Sequence, residues 1–122
     1  MDRKWVKLAD NLVGHKVTEF FVDQLSVTFL FENAALAIEG PWKLLDSSNV
    51  VIDYGDEGVQ NDEFHAWKVL DSTVIRSTIS DENTLELVFD CGLTLRAFAD
   101  DDGFEDWGLR FRGGAWVIIN GV

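Results

Sequence analysis

Cysteine is almost missing from this chain: Cys91 is the only one in 122 residues. That excludes an intrachain disulfide framework and suits a reducing compartment. Histidine is nearly as scarce, with His15 and His65 alone, so a zinc site built on paired Cys and His ligands lacks its material. Cations are few against the acids, 10 Lys and Arg facing 22 Asp and Glu, for a formal net charge of −12. Nucleic-acid contacts need Lys and Arg to displace counterions, and anionic membranes attract the same residues, so neither partner is expected. No apolar run approaches the ~18 residues of a membrane-spanning helix. The opening MDRKWVKLADNLVGHK holds no apolar stretch of signal-peptide length. The expectation is a soluble, cytoplasmic protein.

What the chain does have is apolar bulk. Nine Phe and five Trp stand within a composition that is 47% hydrophobic, enough to fill a core over residues 1–122 as a single domain. The charge is unevenly spread. Residues 1–43 hold six acids and five bases, whereas residues 44–122 hold sixteen acids and five bases, a net of −11. Such a surface attracts a basic protein partner, and it also serves plain solubility.

Period-2 alternation dominates the pattern. In LSVTFLF, Leu25, Val27, Phe29 and Phe31 share a face; after a short turn at Glu32–Ala34, Leu36 and Ile38 continue it. The same grammar returns in TLELVFDCGLTLRAF, with Leu85, Leu87 and Phe89, a tight turn at Asp90–Gly92, then Leu93, Leu95 and Ala97. A strand-like lead-in precedes each hairpin, KVTEFFV and STVIRSTIS. The chain thus shows a weak internal duplication over about 15–42 and 73–107. The C-terminal GLRFRGGAWVIING predicts another hairpin, with Leu109 and Phe111 before Gly113–Gly114 and Trp116 and Ile118 after it. Trp5, Leu8 and Leu12 recur at helical spacing before Gly14, which predicts one short N-terminal helix. The expected fold is mainly β, α+β at most: an antiparallel sandwich or half-open barrel of two three-stranded meanders plus the hairpin. Residues 53–63, acidic and without clear period, are expected to be an irregular, exposed connection.

The usual catalytic and cofactor patterns fail one after another. Neither histidine stands in a nucleophile elbow or a cysteine-protease context, and Cys91 falls in a predicted turn. An EF-hand starting at Asp100 would need an oxygen ligand at position 5, glycine at 6 and glutamate at 12; the chain offers Phe104, Glu105 and Phe111. Gly113–Gly114 has no following helix signal and no Lys-Ser/Thr pair, so it is a turn rather than a phosphate loop. Paired carboxylates mean little among twenty-two acids. No enzyme activity, metal or cofactor is expected.

Two stretches are more specific. LAIEGPWKL (residues 36–44) places the only proline at a strand end, and GFEDWGLRFRGGAWVIING spans residues 103–121. With the two hairpins they resemble a family of small, uncharacterised bacterial β-rich proteins. That family carries an IEGPW-like turn and a YESW-like stretch, in which Glu105 and Trp107 match while Phe104 and Asp106 differ. Some of its relatives look like immunity proteins of polymorphic or contact-dependent toxin systems. The resemblance implies an inhibitor that meets a cognate toxin domain, expected to be a basic nuclease, through acidic loops. The expected contact set is Asp53, Tyr54, Asp56, Glu57, Asp62, Glu63, Asp100, Asp101, Asp102, Glu105 and Asp106, with Tyr54 as aromatic anchor; for each, a solvated loop residue is the plain alternative. A small-ligand or carbohydrate-binding β-barrel and a structural or assembly module are the other readings.

Overall fold

A computed structural model describes residues 9–23, 26–56, 59–60, 65–99, 105–112, 114 and 117–120. Eleven described strands form two antiparallel sheets in a sandwich-like arrangement that does not close into a barrel. In chain order they are β1 (Val17–Val22), β2 (Val27–Phe31), β3 (Ala34–Ile38), β4 (Trp42–Leu45), β5 (Val51–Asp56), β6 (Val59–Gln60), β7 (Val74–Ile79), β8 (Leu85–Phe89), β9 (Thr94–Ala97), β10 (Glu105–Phe111) and β11 (Val117–Asn120). The first sheet runs β1-β2-β3-β10-β11 and the second β6-β5-β4-β9-β8-β7.

The expected alternation is what builds the core. Val27, Phe29 and Phe31, Leu36 and Ile38, Leu85, Leu87 and Phe89, and Leu95 and Ala97 are all buried between the sheets. Phe20 and Leu93 pack against them, half-buried. Each three-stranded meander stays within one sheet. The strand after it does not. Past Gly40–Pro41 the chain crosses to the second sheet, where β4 pairs with β9, opposing Trp42 to Ala97 and Leu44 to Leu95. After β9 it crosses back, and β10 pairs with β3, opposing Trp107 to Ile38 and Leu109 to Leu36. Each meander is thus extended by a strand from the other half.

The correspondence between halves reaches individual hydrogen bonds. Where β1 and β7 meet, an isolated bridge joins Lys16 to Thr73. Around it Val17 N–H donates to the Ser72 carbonyl and Val74 N–H to the His15 carbonyl, both at 2.9 Å. Gly14 N–H donates to the Val74 carbonyl at 2.8 Å and Asp71 N–H to the Val17 carbonyl at 2.9 Å. Lys16 N–H meets the Glu32 carboxylate at 3.3 Å, and Thr73 N–H meets that of Asp90 at 3.0 Å. Gly14 and Asp71 both have positive φ, 90° and 63°. A register shift interrupts β1 between Val17 and Glu19 and β7 between Val74 and Arg76.

One expectation is corrected. Residues 53–56 are strand, not irregular loop, because β5 pairs with β4 from Val51 to Gly55. The N-terminal helix is described only at Ala9–Asp10, followed by turn residues to Gly14; its expected Trp5 and Leu8 lie outside the described residues. The expected last hairpin is present as β10 and β11, with Ile118 opposite Gly108 and Val117 and Ile119 opposite Leu109 and Trp107. The expected Trp116 lies outside the described residues. A short 3-10 helix at Ala66–Val69, unforeseen in the sequence, buries Ala66 and Val69 as the N-terminal turn buries Ala9 and Leu12.

Candidate interaction surface

Antiparallel strands of similar length put alternate turns at the same end of a sheet. One end of the sandwich therefore gathers the β1–β2 and β7–β8 turns, the Gly40–Pro41 crossover, and the ends of β5 and β9. The register fixes this: Val27 opposes Ile38 in the first sheet, while Leu85, Ala97, Trp42 and Gly55 align across the second. Trp107 binds the ends of the two sheets together, its indole N–H donating to the Asn83 carbonyl in the β7–β8 turn at 2.9 Å.

Exposed acids collect at this end. Asp23 follows β1, Glu39 follows β3, and Asp81 and Glu82 form the β7–β8 turn. The turn holding Asp81 and Glu82 is fixed by Ser80, whose hydroxyl accepts from Thr84 N–H at 3.1 Å and Glu82 N–H at 3.3 Å. These four carboxylates were not singled out in the sequence, though each sits where a period-2 run ends. Strand counting would have placed them together once the meanders were accepted.

The acids that the sequence did single out divide into three groups. Asp53 is fully buried. It lies on the inward row of β5, opposite Leu44, and both carboxylate oxygens are engaged. Oδ1 accepts from Tyr54 N–H at 2.8 Å and Oδ2 from His65 N–H at 2.6 Å. His65 is the N-cap of the 3-10 helix and offers no side-chain cap of its own, so Asp53 holds the start of that helix against β5. Asp106 is likewise buried, 1% exposed, and its carbonyl accepts from Glu39 N–H and Gly40 N–H, both at 2.8 Å. Its carboxylate crowds Gly40: a Cβ there would stand 2.5 Å from Oδ1. Asp53 and Asp106 are therefore framework residues, and the exposed contact set is redrawn without them.

Tyr54 is exposed, at 43%, and opposes Lys43 on the outer face of the second sheet. The backbone of Asp56 and Glu105 lies in β5 and β10, with their side chains outside the described set. Glu57, Asp62, Glu63, Asp100, Asp101 and Asp102 lie outside the described residues.

Beside Tyr54 the outer face of the second sheet is charged in a row. Glu86, Arg96 and Lys43 are successive cross-strand neighbours. The Glu86 carboxylate binds Arg96 Nε at 2.9 Å and Arg76 Nη2 at 3.1 Å, and Lys43 Nζ lies 5.8 Å from the Phe98 ring centre. Exposed pairs of this kind contribute about 0.2–1 kcal/mol each. Among the described residues, no group of three His, Cys, Asp or Glu is arranged to hold a metal ion. No described helix is long and apolar enough to cross a membrane.

The geometry defines a class: a two-sheet β-sandwich with exchanged strands and an acidic end. The chain belongs to a family of unknown function, DUF6188, whose model matches residues 8–119. No curated protein and no solved structure matches it significantly.

Proposed function

We propose that this protein is an immunity-type inhibitor that binds a cognate bacterial toxin domain through the acidic end of the sandwich. The observation that carries the reading is the grouping of Asp23, Glu39, Asp81 and Glu82 at one end of a chain of net charge −12. β5 and β9 end at that same place, and the sequence that follows each is rich in acids. A basic nuclease domain is the partner such a surface fits. Acidic side chains occupy the region built for phosphates, steering encounter through long-range charge. Tyr54, at the margin of this end, supplies an aromatic contact of the type that adds affinity after docking. No catalytic residue of the inhibitor is required.

An apolar-cavity binding module has less support. The space between the sheets is filled by Trp107, Phe29, Phe89 and a layer of leucines. Two depressions, one lined by Glu32 to Ala35 and Arg110 to Arg112, the other including Asp46, Asn49, Thr94 and Arg96, lie at the outer surface.

Co-expression with the product of the adjacent reading frame tests the proposal. A complex is expected whose association slows as salt rises, and Glu39→Lys, Asp81→Lys and Glu82→Lys together should slow it by at least about tenfold. An unchanged association rate and unchanged protection of cells expressing the toxin would overturn the assignment of this end.

A further inference from the structure

Because both halves use the same frame, what one half carries and the other lacks is not required by the fold. On the outer face of the second sheet, neighbouring rows read Thr78, Glu86, Arg96, Lys43 and Arg76, Val88, Thr94. At the places of Arg76, Glu86 and Arg96 the first sheet has Glu19, Thr28 and Ala37. The first sheet is built without this cluster, so the cluster is an addition to the frame. It is also where arginine collects. Every described arginine lines one of two outer depressions, Arg110 and Arg112 the one, Arg76 and Arg96 the other. The second pair converges on one carboxylate.

Glu86 is the hub of that pair: Oε1 accepts from Arg76 Nη2 and Oε2 from Arg96 Nε. A guanidinium carries five N–H donors. Among the described residues neither arginine has a second acceptor, so each is held in place with most of its donors open. They border a groove of about 510 Å³, within the ~300–1,000 Å³ of small-molecule sites. Val88 and Thr94 lie along it between the arginines and the base. The base is the β4–β5 turn, lying against the β8–β9 turn, where a Cβ on Gly92 would stand 3.9 Å from Ser47 Cβ. Asp46 fixes the base, its Oδ1 accepting from Ser48 N–H at 2.8 Å and Val50 N–H at 3.0 Å.

The groove is therefore graded, with guanidinium donors at one end, Val88 midway, and Asp46 and Asn49 at the other. Around Glu86 positive charge is in excess, because Lys43 stands beside Arg96 in the same row. Two guanidiniums suit an oxyanion with at least three acceptor oxygens: a phosphoryl group takes one fork bidentately and keeps an oxygen for the second. Asp and Asn side chains at the far end are acceptors and donors for hydroxyl groups. A polyanion fits poorly, since beyond about 10 Å it would leave these cations for the surface of a chain of net charge −12. We propose that this groove binds a small phosphate ester of a polyhydroxy compound, its phosphoryl oxygens on Arg76 and Arg96 and its hydroxyls towards Asp46 and Asn49. Glu86 is the positioning residue. The site lies apart from the acidic end and does not depend on a toxin.

Titration of the purified full chain with glucose 6-phosphate, read by calorimetry and by amide NMR shifts, tests this. Saturation with a dissociation constant of about 1 mM or tighter is expected, with weaker binding of inorganic phosphate and none of glucose. Arg76→Gln and Arg96→Gln should each raise that constant by more than about fivefold. Arg112→Gln removes the same charge from the other depression and should change it by less than about twofold. If Arg96→Gln fails to fold by circular dichroism, Arg96→Lys replaces it; this keeps the charge, loses the fork, and should also weaken binding. No saturation by the sugar phosphate or by inorganic phosphate up to about 10 mM overturns the proposal. So does a loss of affinity that is equal in Arg96→Gln and Arg112→Gln, which would be an effect of net charge alone. Tighter binding of a short single-stranded oligonucleotide than of the sugar phosphate overturns it too, in favour of a nucleic-acid surface.

Discussion

Trp42 and Trp107 hold corresponding places in the two halves, each near the start of a strand that has crossed to the opposite sheet. Trp42 opposes Ala97 on the last strand of the second meander, and Trp107 opposes Ile38 on the last strand of the first. Both are buried, at 2% and 1% exposure. The two short motifs that stand out in the sequence, around Gly40–Pro41–Trp42 and around Glu105–Trp107, are thus one structural device used twice.

Trp107 combines core volume with a hydrogen bond to the Asn83 carbonyl. Trp107→Phe should cost about 1–3 kcal/mol, because the ring is retained but that carbonyl loses its buried donor. Trp107→Ala should cost about 3–5 kcal/mol by leaving a cavity. Urea unfolding of the two variants checks both values, and a Trp107→Phe variant as stable as the parent would show that the hydrogen bond contributes nothing.

Gly55 faces Trp42 across β4–β5, so close that a Cβ there would overlap the indole Nε1. Gly55→Ala should therefore destabilise by about 1–3 kcal/mol through overpacking. Gly40→Ala should behave alike, since the new carbon would also stand 3.1 Å from the Asp106 backbone. Thermal melts that move by less than a degree would refute the proposed tight fit.

Gly14 offers a cleaner backbone experiment. Its φ is 90°, yet nothing stands within 4 Å of where a Cβ would go. Gly14→Ala should lose about 1 kcal/mol from conformation alone. The converse is Asp71, the corresponding residue, at φ 63°. Asp71→Gly should be neutral or gain up to about 1 kcal/mol, as relief of the left-handed strain offsets the freer unfolded chain. A loss for Gly14→Ala with no loss for Asp71→Gly in chemical denaturation is the expected signature.

Asp53 tests the framework assignment. Asp53→Asn keeps one acceptor but turns an amide donor towards the Tyr54 or His65 N–H, and should cost about 1–3 kcal/mol. Hydrogen exchange should show the loss concentrated in Ala66–Val69, whose first turn Asp53 holds. A variant as stable as the parent would show that these two hydrogen bonds do not hold the start of the helix.

How far the sequence revealed this fold depends on where the apolar face is regular. Strands β2, β3, β8 and β9 are half-buried with clean alternation, so their period is visible. β5 hides itself. Its Asp53 points inward and its Gly55 makes room for Trp42, and both residues signal a loop to any rule based on polarity. The partner that satisfies Asp53, His65 N–H, lies twelve residues further on and leaves no local trace. Asp106 misleads in the same way, since its neighbours Glu39 and Gly40 belong to another strand's end. The exchange of β4 and β10 between sheets is equally silent, because pairing between distant strands is decided by packing and not by either segment. The acidic end was only partly legible: its charge shows in composition, its membership only in topology.

Exchanged strands also set the order in which the molecule can be assembled. β4 is synthesised long before β9, its inner neighbour, and β3 waits still longer for β10. On a ribosome the first meander emerges with one flank incomplete, and no amount of local pairing closes it. Such non-local closure makes folding slow relative to helical proteins of this size and leaves an unpaired strand edge exposed meanwhile. Completion of the C-terminal strands is the event that protects the nascent chain from association with its neighbours.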